Sequence, residues 1–316
     1  MEPVHVLIAE KITFKEEFKE RYAKLTDWDS FTKYSLSFLR RSIRVNTILA
    51  QVSEVKKSIE AKGWKLEPIP WCEEGFWISH PERKDVGNLL EHHVGKIYVQ
   101  EAASMIPPLI LAPIPGDIVL DMCAAPGSKT TQMGVMMDNQ GIIVANDYKG
   151  ERLQSLGINV QRSGLTNVLV TLMHGKRFFG FSFDKILLDA PCSGTGAIRK
   201  SLKTIRIWNA KMITKLARQQ KELIVNAYEN LKEGGEMVYS TCSVEPEENE
   251  GVVDFLLKKF PSAKVLPIRL EGIKRSAAIL EFEGISFNPS IKEALRLWPQ
   301  DNDTEGFFVA HISKGQ

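Results

Sequence analysis

From residue 117 onward the chain alternates between short apolar segments and amphipathic segments, and no other pattern constrains the fold as strongly. Strands are predicted at residues 118–121, 142–147, 168–172, 184–189 and 236–240. Helices are predicted at residues 129–137, 151–162, 210–231 and 247–258, with Gly234 and Gly235 closing the third of them. This alternation favours an α/β fold with a Rossmann-like, doubly wound, mostly parallel sheet and helices on both faces.

The first hundred residues lack this alternation and predict a smaller α+β unit. Helical patterns cover residues 14–41 and 55–62, and strand-like stretches cover residues 43–47, 64–69 and 75–78. We therefore expect an N-terminal α+β domain over residues 1–108 and a larger domain over residues 109–316.

Composition and cysteine usage exclude several classes of protein. The chain is 43% hydrophobic and 25% charged, which is ordinary for a globular protein. Its four cysteines form no CxxC pair, which argues against a disulfide scaffold and against a metal site. Residues 1–10 lack a signal-peptide pattern, and no apolar stretch approaches the roughly 18 residues that cross a bilayer. We therefore expect a cytoplasmic protein with free thiols and no membrane contact.

The net charge is only +2, but the basic residues are concentrated in two acid-free stretches. Residues 190–221 carry Arg199, Lys200, Lys203, Arg206, Lys211, Lys215, Arg218 and Lys221. Residues 30–53 carry Lys33, Arg40, Arg41 and Arg44. Acids cluster elsewhere, at Glu245, Glu247, Glu248 and Glu250. Such separation is typical of a positive face that binds nucleic acid, but a solvated helix surface gives the same pattern, so charge alone leaves both open.

The turn after the first strand of the larger domain predicts a nucleoside-containing ligand. Its sequence is DMCAAPGSKT over residues 121–130, where Pro126 and Gly127 favour a tight turn before a helix whose free N–H groups suit a carboxylate. Asp147 ends the next strand and can accept hydrogen bonds from both hydroxyls of a ribose. Because GxGxxG and the phosphate loop are missing, the pattern favours S-adenosylmethionine, with a generic Rossmann-like domain as the alternative.

Two cysteines follow neighbouring strands of the predicted sheet. Cys192 comes after the strand at residues 184–189, and Cys242 comes after the strand at residues 236–240. Consecutive strands are usually adjacent, so both thiols are expected in the same crevice. Each could instead be a small buried apolar residue, but their polar and glycine-rich flanks at the ligand edge favour a reactive pair.

A thiol pair beside a methyl donor suits methylation of a pyrimidine at ring carbon 5. That carbon becomes a nucleophile only after a thiolate adds to ring carbon 6. Asp189 can hydrogen-bond ring nitrogen 3 to assist this addition, and Lys129 can support the base carbonyl or hold Asp189 in place. A second thiol can serve the final elimination.

Several motifs are distributed along the chain. They are the turn at residues 121–130, DAPCSG at 189–194, STCSVEPEENE at 240–250, RVN at 44–46, QEAAS at 100–104, RLWP at 296–299 and GFF at 306–308. Together they resemble the motifs of the Sun-type (NOL/NOP/Sun) RNA cytosine-5 methyltransferases. The resemblance runs from about residue 44 to the end of the chain. It implies that Cys242 is the nucleophile and that Cys192 helps to release the product.

The resemblance also implies a set of residues around S-adenosylmethionine. They are Cys123, Ala124, Ala125, Pro126, Gly127, Ser128, Lys129, Asp147, Arg152 and Asp189, of which Lys129 and Asp189 also face the base. One departure is visible at His174, where the family usually has an acid that binds the adenine amino group. A neutral imidazole accepts only one hydrogen bond, so another acceptor could replace it, or His174 is a plain surface residue.

Two alternatives concern the role of the chain, and a third, ribosomal RNA, concerns its substrate. A DNA-type mechanism would make Cys192 the nucleophile, and a non-catalytic RNA-binding assembly factor would need neither thiol.

For an RNA enzyme, residues 199–221 are expected to contact phosphates, and the N-terminal unit with Arg40, Arg41 and Arg44 is expected to hold a second stretch of RNA. Trp64, Trp71 and Trp77 could stack on bases, although a place in the core is favoured. The compact chain resembles the short archaeal and yeast-type transfer-RNA enzymes, so we expect a monomer acting on transfer RNA, with ribosomal RNA second.

Overall fold

A computed structural model describes residues 12–315 of the chain. Residues 1–10, where the sequence predicts no signal peptide, lie outside the described residues. The first part contains α1 (Glu16–Ala23), α2 (Trp28–Ser35), β1 (Ser42–Val45), α3 (Val52–Glu60), β2 (Lys65–Ile69), β3 (Cys72–Ser79), α4 (Leu90–His93) and β4 (Ile97–Val99). Among residues 12–315, no helix is long and apolar enough to cross a membrane.

The strands of this first part form an antiparallel sheet in the order β2-β3-β1-β4. Trp64, Trp71 and Trp77 are all buried, which confirms that they belong to the core rather than to a base-stacking surface. Trp64 packs with Ile59 of α3 and with the sheet, whereas the other two lie in the core shared with the larger sheet.

The region predicted to be helical at residues 14–41 contains two short helices, α1 and α2, and its last residues, 36–41, are not helical. Asp27 caps α2 by accepting a hydrogen bond from the Ser30 N–H at 2.9 Å, and this cap starts a new helix after α1 has ended. Phe18 of α1 packs against Trp208, which lies far along the chain, and Phe31 of α2 lies in the same aromatic cluster. This aromatic cluster attaches the N-terminal helices to the larger unit.

The second part contains most of the regular structure. Its elements are α5 (Ile106–Leu111), β5 (Ile118–Asp121), α6 (Ser128–Met136), β6 (Ile142–Asp147), α7 (Gly150–Arg162), β7 (Val168–Leu172), β8 (Phe183–Asp189), α8 (Lys203–Ile207), α9 (Ala210–Glu229), β9 (Leu231–Thr241), α10 (Glu250–Lys259), β10 (Ala263–Leu266), β11 (Glu281–Phe282), β12 (Ile285–Ser286), β13 (Leu295–Leu297), α11 (Pro299–Asn302) and β14 (Phe307–Lys314).

These strands form a mixed sheet in the order β10-β14-β9-β8-β5-β6-β7, with β13 beside β14. The pairs from β9 to β7 are parallel, and β14 lies antiparallel to β9. The predicted α/β class, with a mostly parallel sheet and a smaller N-terminal domain, is thereby confirmed. The chain leaves β5 toward β6 and later returns to β8 on the other side, so the switch point where ligands bind lies between β5 and β8.

Two local predictions in this part need correction. The helix predicted at residues 210–231 ends at Glu229, because the Asn230 side chain donates hydrogen bonds to the Asn226 and Phe178 carbonyls. Gly234 and Gly235 lie inside β9, at an irregularity in its pairing with β8, and do not end the helix. The helix predicted at residues 247–258 begins only at Glu250.

Candidate active site

The turn after β5 brings backbone close to the switch point. The Ala125–Pro126 peptide bond is cis, and Gly127 has a φ of +104°. This positive φ is the reason for glycine here, and a Cβ would in addition come within 2.9 Å of Leu156 Cδ1, at the end of a side chain that would have to shift. Helix α6 begins at the next residue, Ser128, and its first N–H groups lie where the sequence predicts a bound carboxylate.

Strand β5 ends in a buried carboxyl group that the sequence did not single out as functional. Thr130 Oγ1 of α6 donates a hydrogen bond to Asp121 Oδ2 at 2.6 Å. Burial raises the pKa of Asp121 to about 7. This hydrogen bond holds the first turn of α6 against the end of β5, so Asp121 helps to fix the conformation of the turn between them.

Asp147 lies at the end of β6, as the ribose interpretation requires. Its Oδ1 accepts a hydrogen bond from the Lys149 N–H at 3.0 Å, and Arg152 Nη1 lies 3.0 Å from its Oδ2. Among the described residues, Oδ2 has no hydrogen-bond partner of good geometry. Arg152 also donates to the Ala125 carbonyl and covers Asp147, which is buried. The free acceptor fits a ribose hydroxyl, provided that Arg152 shifts when the ligand enters.

A small cavity of about 130 Å³ lies beside this position, between the turns after β5, β6 and β7. His174 is exposed, and it lines this cavity together with Tyr148, whose ring lies 5.9 Å away. Gln219 and Glu222 of α9 line the same cavity, which the sequence order did not reveal. Their side-chain oxygens are hydrogen-bond acceptors, and Glu222 Oε2 accepts from Lys176 Nζ at 3.3 Å.

The structure brings the two thiols of the turns after β8 and β9 together. Cys192 Sγ lies 3.3 Å from Cys242 Sγ, and both cysteines are free. The hydrogen bond with Cys242, together with burial, raises the pKa of Cys192 well above its usual value. Cys242 lines a cavity of about 420 Å³, which we call the catalytic cavity, and residues of the β5 turn line it as well. A ligand on the turn and a base beside Cys242 therefore share one space.

Asp189 and Lys129 form an ion pair in the wall of the catalytic cavity. Lys129 Nζ donates to Asp189 Oδ2 at 2.7 Å and to Ser104 Oγ at 2.9 Å, and Ser240 Oγ donates to Asp189 Oδ1 at 2.8 Å. Burial acts to lower the pKa of Lys129, but attraction to Asp189 outweighs it and raises the pKa. The sequence predicted that Lys129 either supports the base carbonyl or holds Asp189 in place, and the structure contains the contact with Asp189.

Glu248, which belongs to the cluster of acids and to the motif at residues 240–250 but has no role predicted from the sequence, joins the two cysteine-bearing turns. Its Oε2 accepts hydrogen bonds from the Ser193 N–H at 3.0 Å and from Gln220 at 2.8 Å, and its Oε1 accepts from Ser243 Oγ at 3.0 Å. Glu245 and Glu250 are also fully buried. The buried acidic residues that follow Cys242 are therefore structural parts of the site.

Two of the arginines expected to contact RNA are structural. The Arg199 side chain is 0% exposed, and it pairs with Asp303 at 2.7 Å. Arg44 is buried as well and donates to Gln100 Oε1 at 2.9 Å. Both predictions are wrong because a sequence does not show which cations have buried acceptors. The remaining basic residues of the first stretch are exposed or partly exposed: Lys200, Lys203, Arg206, Lys211, Lys215, Arg218 and Lys221.

Comparison with known proteins decides the family. The family model of the 16S rRNA methyltransferase RsmB/F matches residues 108–313, and the model of the N-terminal domain of RsmF matches residues 13–102. The chain belongs to the RsmB/F methyltransferase family. Its membership confirms the Sun-type resemblance and the expectation of a methyltransferase.

Individual members of the RsmB/F family align over most of the chain. The tRNA (cytosine(49)-C(5))-methyltransferase of Pyrococcus abyssi is 46% identical, over 95% of this chain and 99% of that protein. Ribosomal RNA small subunit methyltransferase F of Shewanella oneidensis is 42% identical over 90% of this chain, which spans only 60% of that protein. A crystal structure of a methyltransferase homolog from Pyrococcus horikoshii superposes with a TM-score of 0.86 at 35% identity, covering 96% and 97% of the two chains.

Proposed function

We propose that the chain transfers a methyl group from S-adenosylmethionine to carbon 5 of cytosine in RNA, with transfer RNA as the substrate. The thiol pair carries this proposal, because Cys242 shares one cavity with the Asp189–Lys129 pair and the turn after β5. The archaeal transfer-RNA relative supports the choice of RNA, since its alignment covers 99% of that enzyme.

S-adenosylmethionine supplies an electrophilic methyl group when it is bound. We assign its methionine part to the turn at residues 123–128, with Lys129 and Asp189 nearby, and its ribose to Asp147 and Arg152. The adenine would occupy the cavity lined by His174, where Glu222 replaces the missing acid as an acceptor. Asp147 Oδ2 supports this arrangement, because its neighbour Arg152 Nη1 lies at 3.0 Å without good hydrogen-bond geometry, and a ribose hydroxyl would satisfy the atom.

The thiols would divide the covalent chemistry. The Cys242 thiolate adds to ring carbon 6, and Asp189 in its protonated form assists by donating a hydrogen bond to ring nitrogen 3. After carbon 5 has gained the methyl group, its proton leaves to a base, the bond from carbon 6 to sulfur breaks, and its electron pair returns to Cys242. Cys192 lies 3.3 Å from that departing sulfur, and its raised pKa keeps a proton on Cys192 that can hydrogen-bond to it.

RNA would lie across both parts of the chain. We propose that an N-terminal domain over residues 1–108 binds RNA beside a methyltransferase domain over residues 109–316. The exposed cations Lys203, Arg206 and Lys211 follow the turn of Cys192 and would contact phosphates. A reducing cytoplasm suits this enzyme, because two close thiols must stay unoxidised.

A methylation assay tests the proposal. The purified protein is incubated with tritiated S-adenosylmethionine and an unmodified transfer-RNA transcript carrying cytosine at position 49, and bisulfite sequencing then locates the product. We expect methylation of this transcript, and none of a matched transcript with uracil at the modified position. Methylation of 16S ribosomal RNA alone would favour the runner-up, which the RsmF relatives support. Failure to bind S-adenosylmethionine in calorimetry would contradict any methyltransferase function.

A further inference from the structure

A second cavity of about 520 Å³ adjoins the catalytic cavity. Val99, Gln100, Glu101 and Lys200 line both, so the second cavity continues the first onto the surface of the N-terminal part. We call it the Phe38 groove, because Phe38, Arg41 and Lys84 line it beyond the shared residues.

Phe38 is an exposed aromatic side chain on a fixed piece of backbone. Its side chain is open to solvent, with 52% of the residue exposed. The buried Arg199 side chain donates to the Phe38 carbonyl at 2.6 Å and to the Ser37 carbonyl at 3.4 Å, and it is itself paired with Asp303. The backbone that carries the ring is therefore already ordered, so it loses little conformational entropy when a ligand binds.

Unpaired positive charge lies beside this ring. Arg41 and Lys84 are both exposed, and neither forms an ion pair with any residue between 12 and 315. Lys84 Nζ lies 5.9 Å from the centre of the Phe38 ring. Arg40 differs, because it pairs with Glu67 at 2.6 Å and its guanidinium lies 3.9 Å from the Trp77 ring centre.

A base that reacts in the catalytic cavity must first leave its stack. The nucleotide next to it along the strand then loses a stacking partner, and its phosphate approaches the protein. We propose that the Phe38 groove binds this adjoining nucleotide, with its base stacked on Phe38 and its phosphate between Arg41 and Lys84. The inference rests on the proposed RNA substrate and extends it to a second nucleotide subsite.

Substitutions at Phe38 test the stacking. The dissociation constant of the unmodified transfer-RNA transcript is measured by fluorescence anisotropy with saturating S-adenosylhomocysteine, which prevents turnover. Phe38→Ala should raise this constant about fivefold or more, and Phe38→Leu should raise it similarly, whereas Phe38→Trp should stay within about twofold of wild type. Phe179→Ala is the matched control, because Phe179 is an exposed phenylalanine that lines neither cavity and should leave binding unchanged.

Salt dependence tests the cations. The double variant with Arg41→Ala and Lys84→Ala should make the slope of log affinity against log salt shallower by about 0.7, the value for one phosphate of a single strand, and each single variant should make it shallower by less than this. Arg269→Ala, an exposed arginine outside both cavities, should keep the wild-type slope. S-adenosylhomocysteine affinity equal to wild type shows that each variant is folded.

The outcomes separate this inference from the proposed function. Wild-type RNA affinity in Phe38→Ala, or rescue by leucine as complete as by tryptophan, would overturn the stacking subsite while wild-type methylation still stood. An unchanged salt slope in both cation variants would overturn the phosphate contact. A wild-type protein that neither binds nor methylates the transcript would instead contradict the proposed substrate, before any variant is compared.

Discussion

Cys192 Sγ and Cys242 Sγ lie 3.3 Å apart, although 50 positions separate them along the chain. The parallel pairing of β8 with β9 produces this contact, because Asp189 is the register partner of Ser240 and each cysteine follows shortly after its strand. Glu248 then hydrogen-bonds both turns and fixes the distance. Two thiols in contact can take part in one covalent cycle, which leads to different expectations for each of them.

Cys242→Ala should abolish methylation and form no covalent complex with RNA. Cys123 also lines the catalytic cavity, but it belongs to the turn that we assign to the cofactor and cannot replace Cys242. The expected loss is complete within the sensitivity of a tritium-transfer assay. Binding of S-adenosylmethionine should persist and serves as the control for folding.

Cys192→Ala should instead accumulate a methylated covalent adduct. Addition and methyl transfer use Cys242, but release loses the hydrogen bond to the departing sulfur. A denaturing gel should show a retarded band containing both protein and labelled RNA, while turnover falls. An adduct in Cys242→Ala and none in Cys192→Ala would reverse the assignment and favour the DNA-type order of the thiols.

The sequence predicted the centre of the fold well. The strands at residues 118–121, 142–147 and 168–172 agree with β5, β6 and β7, because short apolar runs between helices leave little choice of register. The meeting of Cys192 with Cys242 could also be predicted, since it needs only the rule that consecutive strands are neighbours.

The sequence did not show which charged residues are buried. Arg199 lies in a basic stretch, yet its acceptors come from the Ser37–Phe38 backbone and from Asp303, far away along the chain. Glu248 likewise depends on Ser193 and Gln220. The antiparallel strand β14 was not predicted either, because it lies beyond the last helix and between β9 and β10, outside the repeating pattern.

Asp147→Ala should weaken binding of S-adenosylmethionine by about 2–3 kcal/mol, through the loss of charge-assisted hydrogen bonds to the ribose. Asp147 is buried, and its Oδ2 atom has no hydrogen bond of good geometry among the described residues, although Arg152 Nη1 lies 3.0 Å away and must shift when the ribose binds. Isothermal titration calorimetry measures the change. Asp85→Ala removes an exposed carboxylate and should bind as wild type does. Wild-type affinity in Asp147→Ala would place the ribose elsewhere.

Arg199→Ala should lower the free energy of unfolding by on the order of 2–4 kcal/mol. The substitution leaves the carbonyls of Phe38 and Thr304 without their donor and removes the ion pair with Asp303. Urea unfolding followed by fluorescence measures the change. Lys203→Ala, an exposed cation nearby, should stay within about 0.5 kcal/mol of wild type. Equal stability of the two variants would contradict the structural role of Arg199.

The last expectation concerns pH and Asp121. Burial raises the pKa of Asp121 from 3.8 to about 7 in the folded protein. The folded state therefore binds this proton more tightly than the unfolded state does. Its contribution to stability is full below about pH 4, and it is lost as the pH rises through 7. Between pH 5 and pH 8 the loss from Asp121 alone should be on the order of 2 kcal/mol.

Asp121→Asn removes this titration, so the variant should lose less free energy of unfolding than wild type between pH 5 and pH 8. Burial and the charge of Glu305 also raise the pKa of Glu101, to about 7, so part of the decline should remain and should become smaller with Glu101→Gln. Asp85→Asn is the control, because the hydrogen bond from Arg83 lowers the pKa of Asp85 and places its titration below this range. Urea unfolding at both pH values measures the three variants. A wild-type decline in Asp121→Asn would mean that Asp121 is already ionised at pH 5, and that the Thr130 hydroxyl and nearby Lys129 stabilise its charge more than burial opposes it.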